Sequence, residues 1–298
     1  MQLTVATLNL RYDKPDSGDR NWQVRRAAIA SFLTHYAPDV IGTQEGEAHQ
    51  LLDLHRLLPD YQSVGGDRAG TGTGEHCAIF YRTQRLQCLE TGDFYLSDTP
   101  EIPGSISPDW GNYQPRMTTW ATFAVADEAK KITLLNTHLD YDSARARELG
   151  AKLIRDRIFP STDSLFFLTG DFNAAPDTVP RQTLASSLSQ GVQLHDALAG
   201  MELDEQMTFH DFTSTGFDAV DTIYCDSRVS LREAKVDAAH WQGVLLSDHF
   251  PVVAWFSWNI SPHSKKFPPG SQAQRESIYG SIQLRKYLDK VVLRVWYS

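Results

Sequence analysis

The chemistry-bearing residues of this chain stand at the ends of short apolar runs. In Gly170-Asp171-Phe172-Asn173-Ala174-Ala175-Pro176 an acid and an amide leave the run Leu165-Phe166-Phe167-Leu168-Thr169 together. That run is long enough for a buried strand, and Phe172 turns away from its two polar neighbours. A carboxylate at such a rim is costly to bury unless a cation or a donor satisfies it. Leu3–Leu8 ends on Asn9, with Arg11 and Asp13 just beyond. Asp39–Thr43 ends on Gln44-Glu45, and Ile132–Leu135 on Asn136-Thr137-His138-Leu139-Asp140. Ser247-Asp248-His249-Phe250-Pro251 precedes the apolar strand Val252–Phe256. Hard oxygen donors and imidazoles gathered at five strand ends suit magnesium or manganese working on a phosphate.

The elements that position these residues alternate irregularly. The pattern predicts helices over 24–36, 47–58, from Asp142-Ser143 to about 158, and 179–188, with Pro38 and Pro59 ending the first two. It predicts further strands over 61–65, 77–82, 86–95, 117–125 and around Val220-Asp221-Thr222-Ile223. Periodicity alone gives a mixed α/β class. The glycine-rich stretch 65–76 lacks the Lys-Ser/Thr pair and following helix of a P-loop, so it reads as a flexible connection. Residues 97–115 form a long loop carrying Trp110 and Tyr113. Both stacking on a base or sugar and simple coverage by neighbouring loops fit those rings.

At 298 residues, 41% hydrophobic and 22% charged, the composition is that of a globular protein with a large core. Cys77, Cys88 and Cys225 are odd in number and widely spaced, which fits a reducing cytoplasm better than a disulfide framework. Met1 runs almost directly into a strand, so no signal peptide is expected. No run approaches the roughly 20 apolar residues of a membrane span. The net charge is −9; residues 259–298 hold seven basic and two acidic residues, leaving 21 basic against 35 acidic in the remainder. Non-specific grip on duplex nucleic acid rests on a basic footprint, so this balance favours a smaller phosphate ester over a general nuclease.

The motif order resembles the endonuclease/exonuclease/phosphatase superfamily, the DNase I-like metal hydrolases. The matching pieces are Asn9, Gln44-Glu45, Asn136-Thr137-His138-Leu139, Gly170-Asp171-Phe172-Asn173, Asp221 and Ser247-Asp248-His249-Phe250-Pro251. Asn9-Leu-Arg11-Tyr-Asp13, Trp22-x-x-Arg25, Gly74-Glu75, Ile79-Phe80-Tyr81-Arg82 and Arg116-x-Thr118-Thr119-Trp120 are most similar to its small bacterial members. The resemblance implies an α+β four-layer sandwich, two mixed sheets face to face with helices outside, and a site along one sheet edge. It implies one or two Mg2+ or Mn2+ ions on Glu45, with Asn9 and Asp248 nearby. Asp171 and Asn173 would position or deprotonate the attacking water, and His249, oriented by Asp221, would act as base or electrostatic stabiliser. His138 would donate to a phosphate oxygen or the leaving group, with Asn136 and Arg116 on the substrate.

The implied function is metal-dependent hydrolysis of a small or nucleotide-like phosphate ester, mono- or diester, by in-line attack of water. A DNA or RNA nuclease is the alternative; a silent binding module is disfavoured because all six motifs are intact. No obligate protein partner and no membrane association are expected. Thr222 stands where the family has an aromatic residue after its acid, which sets Asp221 apart from the family pattern. Asp140 and Arg11 fit either the rim of the site or a surface ion pair, and His76 and His210 are further candidates for the rim. The domain is expected to span 1–258. Residues 259–298 form a basic extension with a Pro/Ser/Gly/Lys-rich start and an apolar periodicity beyond it.

Overall fold

Along Ser164–Asp171, odd- and even-numbered side chains go to different cores. Leu165 and Phe167 pack with Leu3, Val5, Leu134 and Val252, while Phe166 and Leu168 pack with Ala151 and Ile154 of a helix. A strand covered on both faces is apolar throughout, which is why this one reads as a continuous run.

The computed structural model describes residues 2–126 and 128–258. Its strands are β1 (Gln2–Asn9), β2 (Val40–Gln44), β3 (Tyr61–Val64), β4 (Ile79–Arg82), β5 (Leu86–Tyr95), β6 (Met117–Val125), β7 (Lys131–His138), β8 (Ser164–Asp171), β9 (Leu194–Asp196), β10 (Asp221–Asp226), β11 (Ser230–Val236) and β12 (Val252–Ser257). The helices are α1 (Trp22–Tyr36), α2 (Ala48–Leu57), α3 (Ala144–Asp156) and α4 (Val179–Leu184). Capping fixes the helix starts: Asn21 accepts from Gln23 N–H at 2.8 Å, and Ser143 from Ala146 N–H at 3.1 Å. After α1, Ala37 turns through φ 44° and Pro38 prevents continuation.

One sheet has the order β11-β12-β1-β2-β4-β3 and the other β5-β6-β7-β8-β10-β9. Both are mixed: β1 runs parallel to β2 and antiparallel to β12, and β7 runs parallel to β8, which is antiparallel to β10. The core between them draws on Val5, Val40 and Phe256 from one sheet and Phe123, Leu134 and Ile223 from the other. Ile29 and Phe32 of α1 and Leu54 of α2 cover the outer face of the first sheet. Ala151 and Ile154 of α3 and Leu184 of α4 cover that of the second. This is the expected four-layer sandwich.

Two strands were not anticipated. β9 has three residues, and β11 is a largely exposed outer strand whose sequence SLREAKV lacks an apolar alternation. Stretch 65–76 is not a loose connection. Asp67 accepts the N–H groups of Ala69 (2.9 Å), Thr71 (3.3 Å), Gly72 (2.5 Å) and Gly74 (3.2 Å), so the loop wraps around its own carboxylate. No helix among the described residues is long and apolar enough to cross a membrane. The expected extension 259–298, with the boundary at 258, lies outside the described residues.

Candidate active site

The inner faces of the central strands change character along their length. On β1 the inward positions are Leu3, Val5, Thr7 and Asn9; on β7 Ile132, Leu134, Asn136 and His138; on β8 Leu165, Phe167, Thr169 and Asp171. Apolar residues fill one end, hydroxyls and amides the middle, and the chemistry the last position. Register aligns these stripes: Asn9 pairs with Gln44, His138 with Asp171, and Asp221 with Asp171. The site therefore lies across the ends of the inner strands, at the edge of the sheets where those strands give way to loops.

The middle layer is a polar bridge between the sheets. Gln44 Nε2 donates to Thr7 Oγ1 at 3.1 Å and to Asn136 Oδ1 at 2.7 Å. Thr169 Oγ1 adds a 3.0 Å bond to the same oxygen, while Asn136 Nδ2 donates to the carbonyls of Thr43 and Ala78. The sheets approach so closely here that a Cβ on Gly42 would lie 2.1 Å from Thr169 Oγ1. This corrects the reading of Asn136 as a substrate ligand. It is fully buried one strand step inside His138, and its amide atoms are committed to the bridge.

Above the bridge, Asp171 lies between two imidazoles. His138 Nε2 is 3.4 Å and His249 Nε2 3.8 Å from Asp171 Oδ2. Asn9 Nδ2 reaches the same oxygen at 3.0 Å, and Asn173 N–H donates to Oδ1 at 2.9 Å. Burial and the facing Asp221 raise the Asp171 pKa above the usual carboxylate range. Asp221 Oδ2 is 2.7 Å from His249 Nδ1. Burial opposes charge on that ring, but Asp221, then Asp171 and Asp248, raise its pKa to about 10, which favours the charged ring. His138 goes the other way: burial, then the charges of Arg116 and Arg68, hold it well below its ordinary pKa. Thr222, the departure from the family pattern, donates to Asp196 at 2.5 Å and so turns away from the site.

Beside His138 is a small recess of about 10 Å³, lined by Glu45, Arg68, Glu75, His76, Cys77, Arg116, Met117 and His138. Ligand atoms of Glu45, Glu75 and His138 lie within 4.8 Å of one another, so two carboxylates and an imidazole converge there. Asn9 Nδ2 holds Glu45 Oε1 at 3.1 Å. Glu75 is paired with Arg68 at 2.5 Å; burial raises its pKa to about 7, with Arg68 opposing and Glu45 adding to the rise. Three residues at the strand exits, Arg11 (φ 54°), Glu45 (φ 62°) and Asn173 (φ 46°), have left-handed backbones. Such strain in non-glycine residues gathers at functional sites.

Several expected residues are placed otherwise. Asp248 was expected beside Glu45 as a metal ligand, but its Oδ2 pairs with Arg11 at 2.6 Å and its Oδ1 accepts from Ser247. Asn9 is next to Glu45 as expected, yet it presents its NH2 there, because Arg11 N–H occupies its oxygen at 2.9 Å. Arg116 lines the recess and pairs with Asp140 at 3.4 Å. Trp110 is covered, bonded to Asp98, whereas Tyr113 is exposed. His76 lines the recess; His210 is buried, stacked on Phe250 at 3.8 Å. Sequence reasoning assigned no role to Arg68 and noted Glu75 only as part of a flanking match. The signal for Glu75 is its place just before His76, which bridges to Gly46 and so brings Glu75 beside Glu45.

The family model described as "Endonuclease/Exonuclease/phosphatase family" matches residues 6–249. The chain is similar to the crystal structure of an endonuclease/exonuclease/phosphatase from Bacteroides vulgatus, at 28% identity and TM-score 0.78 over 87% of this chain and 100% of that one. It is also similar to the mannosyl-6-phosphatase of Bacteroides thetaiotaomicron VPI-5482, at 31% identity and TM-score 0.76 over 86% of this chain and 100% of that one. Two uncharacterised proteins of Acanthamoeba polyphaga mimivirus match at 29% and 28% identity over 33% and 51% of the chain. The alignments span only 16% and 59% of those relatives' length. With the family's motifs assembled at the ends of its inner strands, this chain belongs to the endonuclease/exonuclease/phosphatase family.

Proposed function

We propose that the protein is a divalent-metal-dependent hydrolase of small phosphate esters. The observation that carries this reading is Asp171 set between the imidazole rings of His249 and His138, beside a recess with two further carboxylates. The donor set fits a hard cation: Glu45 and Glu75 offer carboxylate oxygens, and Asn9 holds Glu45 in place. A magnesium or manganese ion held there supplies neutralisation of phosphate charge.

The remaining roles belong to the chain's own groups. Asp171, with its raised pKa, takes the proton of the attacking water. Asn173 commits its NH2 to Leu139 O at 3.0 Å, which leaves its side-chain oxygen to orient that water. His249, fixed by Asp221, stabilises charge on the phosphate oxygens, and His138 donates a hydrogen bond to them. The mannosyl-6-phosphatase likeness supports a small ester, and the acidic balance of residues 1–258 weighs against a nuclease. Cys77, Cys88 and Cys225 are all free, which suits a reducing compartment such as the cytoplasm.

The test is release of nitrophenol from p-nitrophenyl and bis(p-nitrophenyl) phosphate with magnesium, manganese or EDTA. Metal-dependent turnover that falls about 10²–10⁴-fold in His249→Ala is expected. Turnover indifferent to EDTA, or intact in that variant, would count decisively against the reading.

A further inference from the structure

Two guanidinium groups in the recess have no part in the roles above. Arg116 is 3% exposed; its Nε reaches Asp140, and its Nη1 is enclosed with no partner. A buried donor left unpaired costs about 1–3 kcal/mol, and more when charged, so such a group is a place for a ligand atom. Arg68 enters the same recess from the loop wound around Asp67. Its backbone is tied down on both sides: Arg68 N–H donates to Glu75 O at 2.8 Å, and the Tyr95 hydroxyl donates to Asp67 O at 3.1 Å. Behind the guanidiniums, Cys77 and Met117 pack with Tyr95 as a buried apolar wall. The enclosed space is about 10 Å³, far less than the roughly 300–1,000 Å³ of a pocket that encloses a whole ligand, so only the tip of a substrate enters it.

We propose that this recess selects phosphomonoesters, with Arg68 and Arg116 gripping the terminal oxygens of the phosphate. This rests on the hydrolase reading above. A monoester presents three oxygens without a substituent, and two guanidiniums match them as charge-assisted donors. A diester has only two such oxygens and one less negative charge, so it matches the two guanidiniums less well. In the reaction the water oxygen bonds to phosphorus as the ester P–O bond breaks. The bonding pair leaves on the ester oxygen, Asp171 takes one water proton, and solvent protonates the leaving alkoxide. The products are inorganic phosphate and an alcohol.

Calorimetric titration of the full chain with inorganic phosphate and with dimethyl phosphate, each with magnesium present, tests the selection without turnover. Phosphate is expected to bind about 100-fold more tightly than dimethyl phosphate, and Arg68→Met to weaken phosphate at least about tenfold. Arg68→Lys, which keeps the charge but loses the fork, is expected between the two and serves if Arg68→Met fails to fold by circular dichroism. The ratio of kcat/KM for p-nitrophenyl phosphate to that for its diester should fall at least about tenfold in Arg68→Met. Equal binding of the two anions, or an unchanged ratio, overturns the selection while metal-dependent turnover still upholds the hydrolase. Selective phosphate binding without turnover of either ester upholds the recess and overturns the hydrolase.

Discussion

Asp221 Oδ2 lies 2.7 Å from His249 Nδ1, and that contact decides which ring nitrogen faces Asp171. The two residues come from β10 and from the segment before β12, in different sheets, so the pair also ties the layers together at the site. Asp221→Asn should leave the fold intact and lower turnover about 10²–10⁴-fold. The same pair predicts a pH signature in EDTA. With its pKa raised to about 10, wild-type His249 should not titrate between about pH 5 and 8, and Asp221→Asn should bring its ring resonances into that window. Its stabilising contribution is full below the unfolded value of 6.5 and is lost as pH rises through about 10.

Glu45→Gln should weaken Mn2+ binding at least about tenfold, measured by calorimetry, and lower turnover with it. His249→Ala should lose rate while keeping Mn2+ affinity within about threefold. Equal Mn2+ affinity in wild type and Glu45→Gln would remove Glu45 from the metal site.

Asn136→Ala should cost at least about 2 kcal/mol in urea unfolding, because Gln44 and two carbonyls lose a buried partner. Gly42→Ala should cost about 1–3 kcal/mol by overpacking against Thr169. A cost below about 0.5 kcal/mol for either would show that the bridge can relax.

Acid should destabilise the protein through His210. Its ring is buried against Phe250, and burial, then the His249 charge, lowers its pKa to about 4. The unfolded chain takes up that proton near pH 6.5 and the folded one near pH 4. Stability is therefore full above that window and falls as pH drops through it. Between about pH 7 and 5 the contribution lost is about 2 kcal/mol. His210→Phe should show a correspondingly smaller loss by urea denaturation, and an identical slope would contradict the assignment.

Much of this was legible in the sequence where local pattern and burial agree. β5 and β6 match their expected spans, and Ser143 marks the start of α3. The strand ends carrying Asn9, Glu45, His138 and Asp171 stood out because polar groups at the end of an apolar run demand a partner. Period-two counting shows that Asn136 shares a face with His138 one step further in; the depth at which the sheets meet does not follow from it. Asp248 looked like a ligand by residue type, but its partner Arg11 stands 237 positions away in sequence. Arg68 was hidden because only the turn around Asp67 brings it to the recess. β11 was missed because an outer strand of charged residues lacks the alternation that marks a buried one.

The left-handed backbone at Glu45 puts stability and activity in opposition within one residue. Its conformation costs about 1–2 kcal/mol in a residue with a Cβ, and glycine would relieve it. Its negative charge also raises the pKa of Asp171 and Glu75, a repulsion that glycine removes. Glu45→Gly should therefore melt at a higher temperature than the wild type while losing its metal-dependent turnover. Selection for thermal robustness alone would favour glycine at this position and would silence the site as it did so.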